Sequence, residues 1–265
     1  MKKFILLLLL PLQSFAFGNL FIIGGGSQSD ELVSEFLQLC APSKNLLIIA
    51  KASSLEEEVL AEVEARFQSL GAKNTRKYFC QTQADDCVEQ FENVQCVYFS
   101  GGDQKKLTAH FLGTKAFKKL HQIFLEGGSI IGTSAGAAIM SEVMLSGNIL
   151  DAADGFSRIA INHVEDTVGF GFLKSFIIDQ HFVKRQRQNR LLSKVLELPS
   201  FVGVGIDEST AIVFKNSITE FTVTGKASVI IFDARHTEPQ VDDRGNFSVK
   251  SLTQSILTSG QSFKF

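Results

Sequence analysis

The chain has 265 residues, a length that fits one large α/β domain or two small ones, and its 45% hydrophobic and 20% charged residues allow a sizeable core. A formal net charge of −2 excludes the chain-wide basic footprint of a nucleic-acid or anionic-membrane binder. With 24 Phe and no Trp, the aromatic content reads as core filling rather than a binding code.

Residues 1–16 read as a secretory signal peptide. Lys2 and Lys3 form a basic n-region, Phe4 to Leu10 an apolar run too short to span a bilayer, and Ser14-Phe15-Ala16 a small-residue cleavage site. No cysteine directly follows that site, where Phe17 stands, so no lipid anchor is expected. Loss of the two lysines takes the charge from −2 to −4. The remainder, 17–265, reads as a single α/β domain that is periplasmic or extracellular, with no further membrane segment.

Asn19 to Ile23 is a strand ending in Gly24-Gly25-Gly26. A helix follows over Asp30 to Leu39, with Ser27 or Ser29 able to cap it. Asn45 to Ala50 is a continuous apolar run, as in a buried parallel strand. Leu55 to Leu70 has helical periodicity, and Thr75 to Phe79 reads as a strand. Gln95 to Ser100 is another, ending in Gly101-Gly102. Lys105 to Phe111 and Lys115 to Glu126 read as helices, Ser129 to Gly132 as a strand and Ala135 to Leu145 as a helix. Strands alternating with helices across glycine-rich turns predict an open, doubly wound, mostly parallel sheet with helices on both faces. Beyond it, Phe201 to Ile206, Ala211 to Phe214, Phe221 to Val223 and Val229 to Asp233 read as short additional strands. Thr237 to Asn246 reads as a polar loop.

Of the four cysteines Cys40, Cys80, Cys87 and Cys96, the favoured pair is Cys80 with Cys87, closing a short loop. There is no CxxC and no histidine at ligand spacing, so no zinc site is expected.

In such sheets, sites form at the carboxyl ends of strands. Gly132-Thr133-Ser134-Ala135-Gly136 matches GxSxG after an apolar run and before a helix-like segment, the setting of a nucleophile elbow. Its small residues would let a substrate carbonyl approach the Ser134 hydroxyl and the amide of Ala135 together. A serine nucleophile needs a base. Among five histidines, His110 and His121 fall on amphipathic helices as surface residues and His236 in a polar loop. His163 is ambiguous. His181 stands at the end of Ile177-Ile178-Asp179-Gln180, followed by Arg185, Arg187 and Arg190 in a helix-like segment. At ~100° per residue, Arg187 and Arg190 share a face and Arg185 does not. Arginine forks bind carboxylates and suggest an anionic substrate group. For the acid that orients the imidazole, Glu208 in Gly205-Ile206-Asp207-Glu208 is the choice. Asp207, Asp179 and Asp151 are rivals that spacing does not separate. In Ser100-Gly101-Gly102-Asp103-Gln104, the glycines offer a second oxyanion donor and Gln104 a contact for a substrate amide or carboxylate.

Taken in order, GGDQ, GTSAGAA, DQHFxxRxRxxRL and GIDE(S)TA resemble the cyanophycinase family of serine peptidases and the wider group that includes aspartyl dipeptidase (peptidase E). The resemblance runs from Gly24 to about Asp233. It implies a class I glutamine amidotransferase-like, flavodoxin-like fold with serine in place of cysteine. It also implies hydrolysis of cyanophycin, a polyaspartate with arginine on each β-carboxyl, to β-aspartyl-arginine. In that likeness Ser134 is nucleophile, His181 base and Glu208 orienter. Gly102 and Ala135 form the oxyanion hole, and Gln104, Asp179, Gln180, Arg185, Arg187 and Arg190 line the substrate pocket. The family implies a homodimer and no cofactor. Two features depart from it: Ser27-Gln28-Ser29 replaces a more acidic stretch, and Gln186 stands where glycine is expected between two arginines. The competing expectations are an α-aspartyl dipeptidase with the same triad and a non-catalytic binder of acidic peptides. A glutamine amidotransferase is disfavoured, because no cysteine occupies the elbow.

Overall fold

A computed structural model describes residues 17–40, 44–150 and 157–265 of the chain. The proposed signal peptide and Asp151 lie outside the described residues. The elements in chain order begin β1 (Asn19–Ile23), α1 (Asp30–Leu39), β2 (Leu46–Ile49), α2 (Glu56–Ser69), β3 (Thr75–Lys77), a 3-10 turn (Ala84–Phe91) and β4 (Cys96–Phe99). They continue α3 (Gln104–Phe111), α4 (Lys115–Leu125), β5 (Ser129–Thr133), α5 (Ala135–Ala138), β6 (Val143–Ile149), β7 (Val164–Val168), β8 (Phe176–Gln180) and α6 (Gln188–Glu197). The last are β9 (Val202–Ile206), β10 (Thr210–Phe214), β11 (Glu220–Gly225), β12 (Val229–Asp233), β13 (Gln240–Val241), β14 (Phe247–Ser248), β15 (Thr253–Leu257) and β16 (Ser262–Lys264).

The central sheet has eight strands in the order β16-β11-β10-β1-β5-β4-β2-β3. From β1 to β3 every pairing is parallel, and β10, β11 and β16 extend the sheet antiparallel. The inner strands β2 and β4 are buried along their whole length because both faces are covered, whereas the edge strand β3, Thr75-Arg76-Lys77, is polar and mostly exposed. Leu32, Val33 and Phe36 of α1 and Leu60 and Phe67 of α2 pack on one face, against Phe21, Ile23, Leu46 and Ile48. The other face, with Leu20, Ile22, Leu47 and Ile49, takes helices α3 to α5 and a second sheet. That second sheet runs β15-β12-β9-β8, with β8 parallel to β9. Its outer face is sealed by Leu191 and Val195 of α6.

Ser29 is the cap of α1, accepting the Leu32 N–H at 3.3 Å. Three expectations are corrected. The helix foreseen over Ala135 to Leu145 ends after one turn, and Val143 begins β6. Tertiary hydrogen bonds override the helical pattern there: the carbonyls of Ile139, Met140 and Glu142 accept the N–H groups of Phe170, Leu173 and Gly169. The polar loop Thr237 to Asn246 contains β13, paired with β14. His110 and His121 are not surface residues: each is half-buried, His110 against the Tyr78 hydroxyl at 2.9 Å and His121 against the Phe170 carbonyl at 2.8 Å. Burial, then the Lys51 charge, lowers the His110 pKa to about 4.

Two disulfides are present, Cys80–Cys87 and Cys40–Cys96. No helix among the described residues is long and apolar enough to cross a membrane.

Candidate active site

Ser134 stands between β5 and α5 with φ 53° and ψ −107°, a left-handed conformation that a serine adopts only where its surroundings impose it. The sharp turn requires a small residue before it. A Cβ on Gly132 would lie 2.1 Å from the Gly136 carbonyl oxygen. The turn lifts the Ser134 hydroxyl to the rim of the central sheet, where it meets His181 Nε2 at 2.8 Å.

His181 arrives from the second sheet, one residue past β8. Parallel pairing sets Gln180 opposite Ile206, so His181 faces the Asp207-Glu208 turn that follows β9. Its Nδ1 lies 2.7 Å from Glu208 Oε1. A carboxylate there fixes the neutral tautomer with the proton on Nδ1 and leaves Nε2 to accept from serine. Of the described acids, Glu208 alone touches the imidazole. Asp207 accepts the Lys184 N–H at 2.9 Å, and Asp179 is turned into the interior.

Burial is the main force on the imidazole and lowers its pKa. The Glu208 hydrogen bond opposes this, while Arg185 and Arg187 add to it. His181 therefore stays neutral, and able to accept a proton, below the ordinary imidazole range. Glu208 has its own pKa lowered, chiefly by the hydrogen bond from His181.

Above the serine lies the Gly101-Gly102 loop. A Cβ on Gly101 would sit 3.4 Å from Ser134 Cβ. The loop is tied down where Asp103 N–H donates to the Ala52 carbonyl at 2.9 Å. Ala135 is the first residue of α5, so its N–H has no helical acceptor. Gly101 is thus the residue of the glycine loop that lies against the serine, while Gly102 packs against the Ala52 backbone.

The residues expected to line the substrate pocket divide into groups. Asp179 and Arg190 are 0% and 1% exposed and bind each other, Nε to Oδ2 at 2.7 Å, so neither lines an open pocket. Arg187 is half-buried behind them; it donates to the Gln180 carbonyl at 2.6 Å and lies 3.6 Å from Asp179. Burial lowers its pKa to about 10. Gln104 is buried, and its amide NH2 donates to the Leu145 and Ser146 carbonyls at 2.8 and 2.9 Å, which leaves only its oxygen for a ligand. Gln180 is buried beside His181, and its Oε1 has no hydrogen-bond partner among the described residues. Arg185 is exposed and lines a polar hollow of about 550 Å³ with Ser157, Gln186, Gln188 and Asn189. The helix begins only at Gln188, so Arg185 and Arg187 precede it.

Gly24-Gly25-Gly26, a strand end with no role among the expected site residues, lies against both His181 and Glu208. Three glycines in succession at a strand's carboxyl end are the signal of that close approach.

A serine, an imidazole and a carboxylate hydrogen-bonded in series at the edge of an α/β sheet define a hydrolytic enzyme of the serine class. The model of peptidase family S51 matches residues 20–221. A cyanophycinase of Nostoc sp. is 30% identical over 256 residues, covering 91% of this chain and 84% of that protein. A cyanophycinase of Geminocystis herdmanii is 28% identical over 233 residues, 84% of each. Among solved structures, a peptidase from an acI-B1 Actinobacterium superposes with a TM-score of 0.69 at 23% identity, covering 97% of this chain and all of that one. A putative peptidase E from Listeria monocytogenes gives 0.57 at 18% identity, covering 80% and 100%. These two show the shared fold. The chain belongs to peptidase family S51, and it is a peptidase.

Proposed function

We propose that this peptidase hydrolyses cyanophycin from an end of the polymer, releasing β-aspartyl-arginine through an acyl-enzyme on Ser134. The observation that carries the reading is the unbroken hydrogen-bonded series Ser134–His181–Glu208, in a chain whose relatives are cyanophycinases. His181 Nε2 takes the proton as Ser134 Oγ attacks the α-peptide carbonyl between aspartyl units. The Gly102 and Ala135 amides receive the oxyanion, and Glu208 stabilises the imidazolium. His181 then protonates the leaving amine, and water, deprotonated by the same imidazole, releases the acyl group. Arg185 meets a substrate carboxylate in the polar hollow, and the oxygens of Gln104 and Gln180 accept from substrate N–H groups.

The enzyme acts outside the cytoplasm, as a homodimer. The signal-like residues 1–16 support export, and so do two disulfides, which persist in oxidising compartments.

The test is mass spectrometry of products after the purified protein is incubated with insoluble cyanophycin, with Asp-Leu in parallel. β-Aspartyl-arginine from the wild type and none from Ser134→Ala is the expected result. Cleavage of Asp-Leu alone would replace this reading with an α-aspartyl dipeptidase. Undiminished turnover by Ser134→Ala would remove the serine mechanism.

A further inference from the structure

The turn between β1 and α1 takes no part in the chemistry just described, yet all three triad segments are anchored to it. Three consecutive carbonyls, those of Ile23, Gly24 and Gly25, accept the N–H groups of Ser134 at 3.1 Å, His181 at 2.7 Å and Ser209 at 2.9 Å. The Ser209 hydroxyl adds a bond to the Ser27 carbonyl at 2.6 Å. All three N–H donors are non-glycine residues in the left-handed region, with φ of 53°, 51° and 57°. Residues held in that region persist where the surrounding structure over-determines them. One stretch of backbone therefore fixes the nucleophile, the base and the residue after the acid, although these lie on two different sheets.

The same turn presses against the reacting side chains. Gly25 has φ +101°, and a Cβ there would stand 2.4 Å from His181 Cε1 and 2.6 Å from Nε2. Gly26 has φ +70°, and its Cβ would stand 2.7 Å from Glu208 Cβ and 2.9 Å from Oε2. Real Cβ atoms do not approach that closely, so the imidazole and the carboxylate occupy space that any side chain would claim.

We propose that Gly25 and Gly26 are positioning residues: their backbone registers Ser134, His181 and Glu208, and their missing side chains leave the imidazole and the carboxylate in line. The inference rests on the serine-peptidase reading of the site. It predicts a loss of turnover without a loss of binding, because a misplacement of about 1 Å costs on the order of 100-fold in rate.

Gly25→Ala and Gly26→Ala are compared with Gly71→Ala. Gly71 has φ +101°, and a Cβ added there would meet nothing within 4 Å, so alanine imposes the same backbone strain without the contact. Wild type and Ser134→Ala run alongside, so failure of the serine mechanism is seen independently of the glycine variants. The expected result for Gly25→Ala is native circular dichroism, kcat lower by ~100-fold or more, and KM within about 3-fold. Gly71→Ala keeps wild-type kcat. Gly26→Ala displaces Glu208, the group that raises the His181 pKa against burial, Arg185 and Arg187. The acidic limb of its kcat/KM profile therefore moves to lower pH as kcat falls by ~10-fold or more. If Gly25→Ala does not fold, Gly26→Ala, at an exposed position, decides alone. Folded variants with kcat within about 3-fold of wild type overturn the proposal, and so do losses matched by Gly71→Ala with the limb unmoved.

Discussion

Arg190 holds the Asp179 carboxylate with both Nε and a terminal nitrogen, and neither residue reaches solvent. The pair locks α6 onto the end of β8, two residues before the base. A buried ion pair is weak evidence for stability as a whole, but removing one partner leaves the other charged and unpaired. Asp179→Ala is expected to cost roughly 3–5 kcal/mol of unfolding free energy in urea. Asp179→Leu with Arg190→Met should recover much of that. A single variant as stable as wild type, with altered KM alone, would return these residues to the substrate pocket.

Glu208 and Asp207 are adjacent in sequence and differ in what they touch. Glu208→Gln keeps the shape but loses the charge that fixes the imidazole tautomer, and should lower kcat by ~100- to 10,000-fold. Asp207→Asn should leave kcat within a few-fold of wild type, since Asp207 binds the Lys184 N–H rather than His181. The reverse ranking would reassign the acid.

Much of this is legible in the residues alone, for particular reasons. Continuous apolar runs such as Leu46–Ile49 announce parallel strands covered on both faces, and glycines at their ends announce the rim where chemistry sits. The elbow at Ser134 is visible because a tight turn admits only small neighbours. What stays hidden depends on pairing between distant segments. Nothing local shows that β8 runs parallel to β9, which is what brings the Asp207-Glu208 turn to the imidazole. Helical periodicity after Ala138 gives way to carbonyl bonds with residues about thirty positions later. Helical spacing sets Arg185 apart from Arg187 and Arg190, but only packing shows that Arg185 is exposed, Arg187 half-buried and Arg190 buried.

Activity should follow the protonation of His181. Its pKa is lowered in the fold, so kcat/KM rises as pH increases through a midpoint below the ordinary imidazole value of 6.5 and is level near neutrality. Arg185 contributes to that lowering. Arg185→Gln should shift the limb to higher pH and raise KM. A limb unmoved in Arg185→Gln would place the arginine out of reach of the base.

The two disulfides should differ in weight. Cys40–Cys96 spans 56 residues and ties the end of α1 to the start of β4, while Cys80–Cys87 spans 7. On chain-entropy grounds, replacing the long-range pair by alanines should cost roughly 4 kcal/mol and the short one roughly 2 kcal/mol. Thermal denaturation of the two double variants measures the difference, and equal shifts would contradict it.

The nucleophile is delivered by the central sheet, whereas its two helpers come from the other one, and β10, β11 and β16 carry the chain back beside β1 near its very end. A chain that has formed only one of the two sheets therefore lacks the assembled Ser134–His181–Glu208 series.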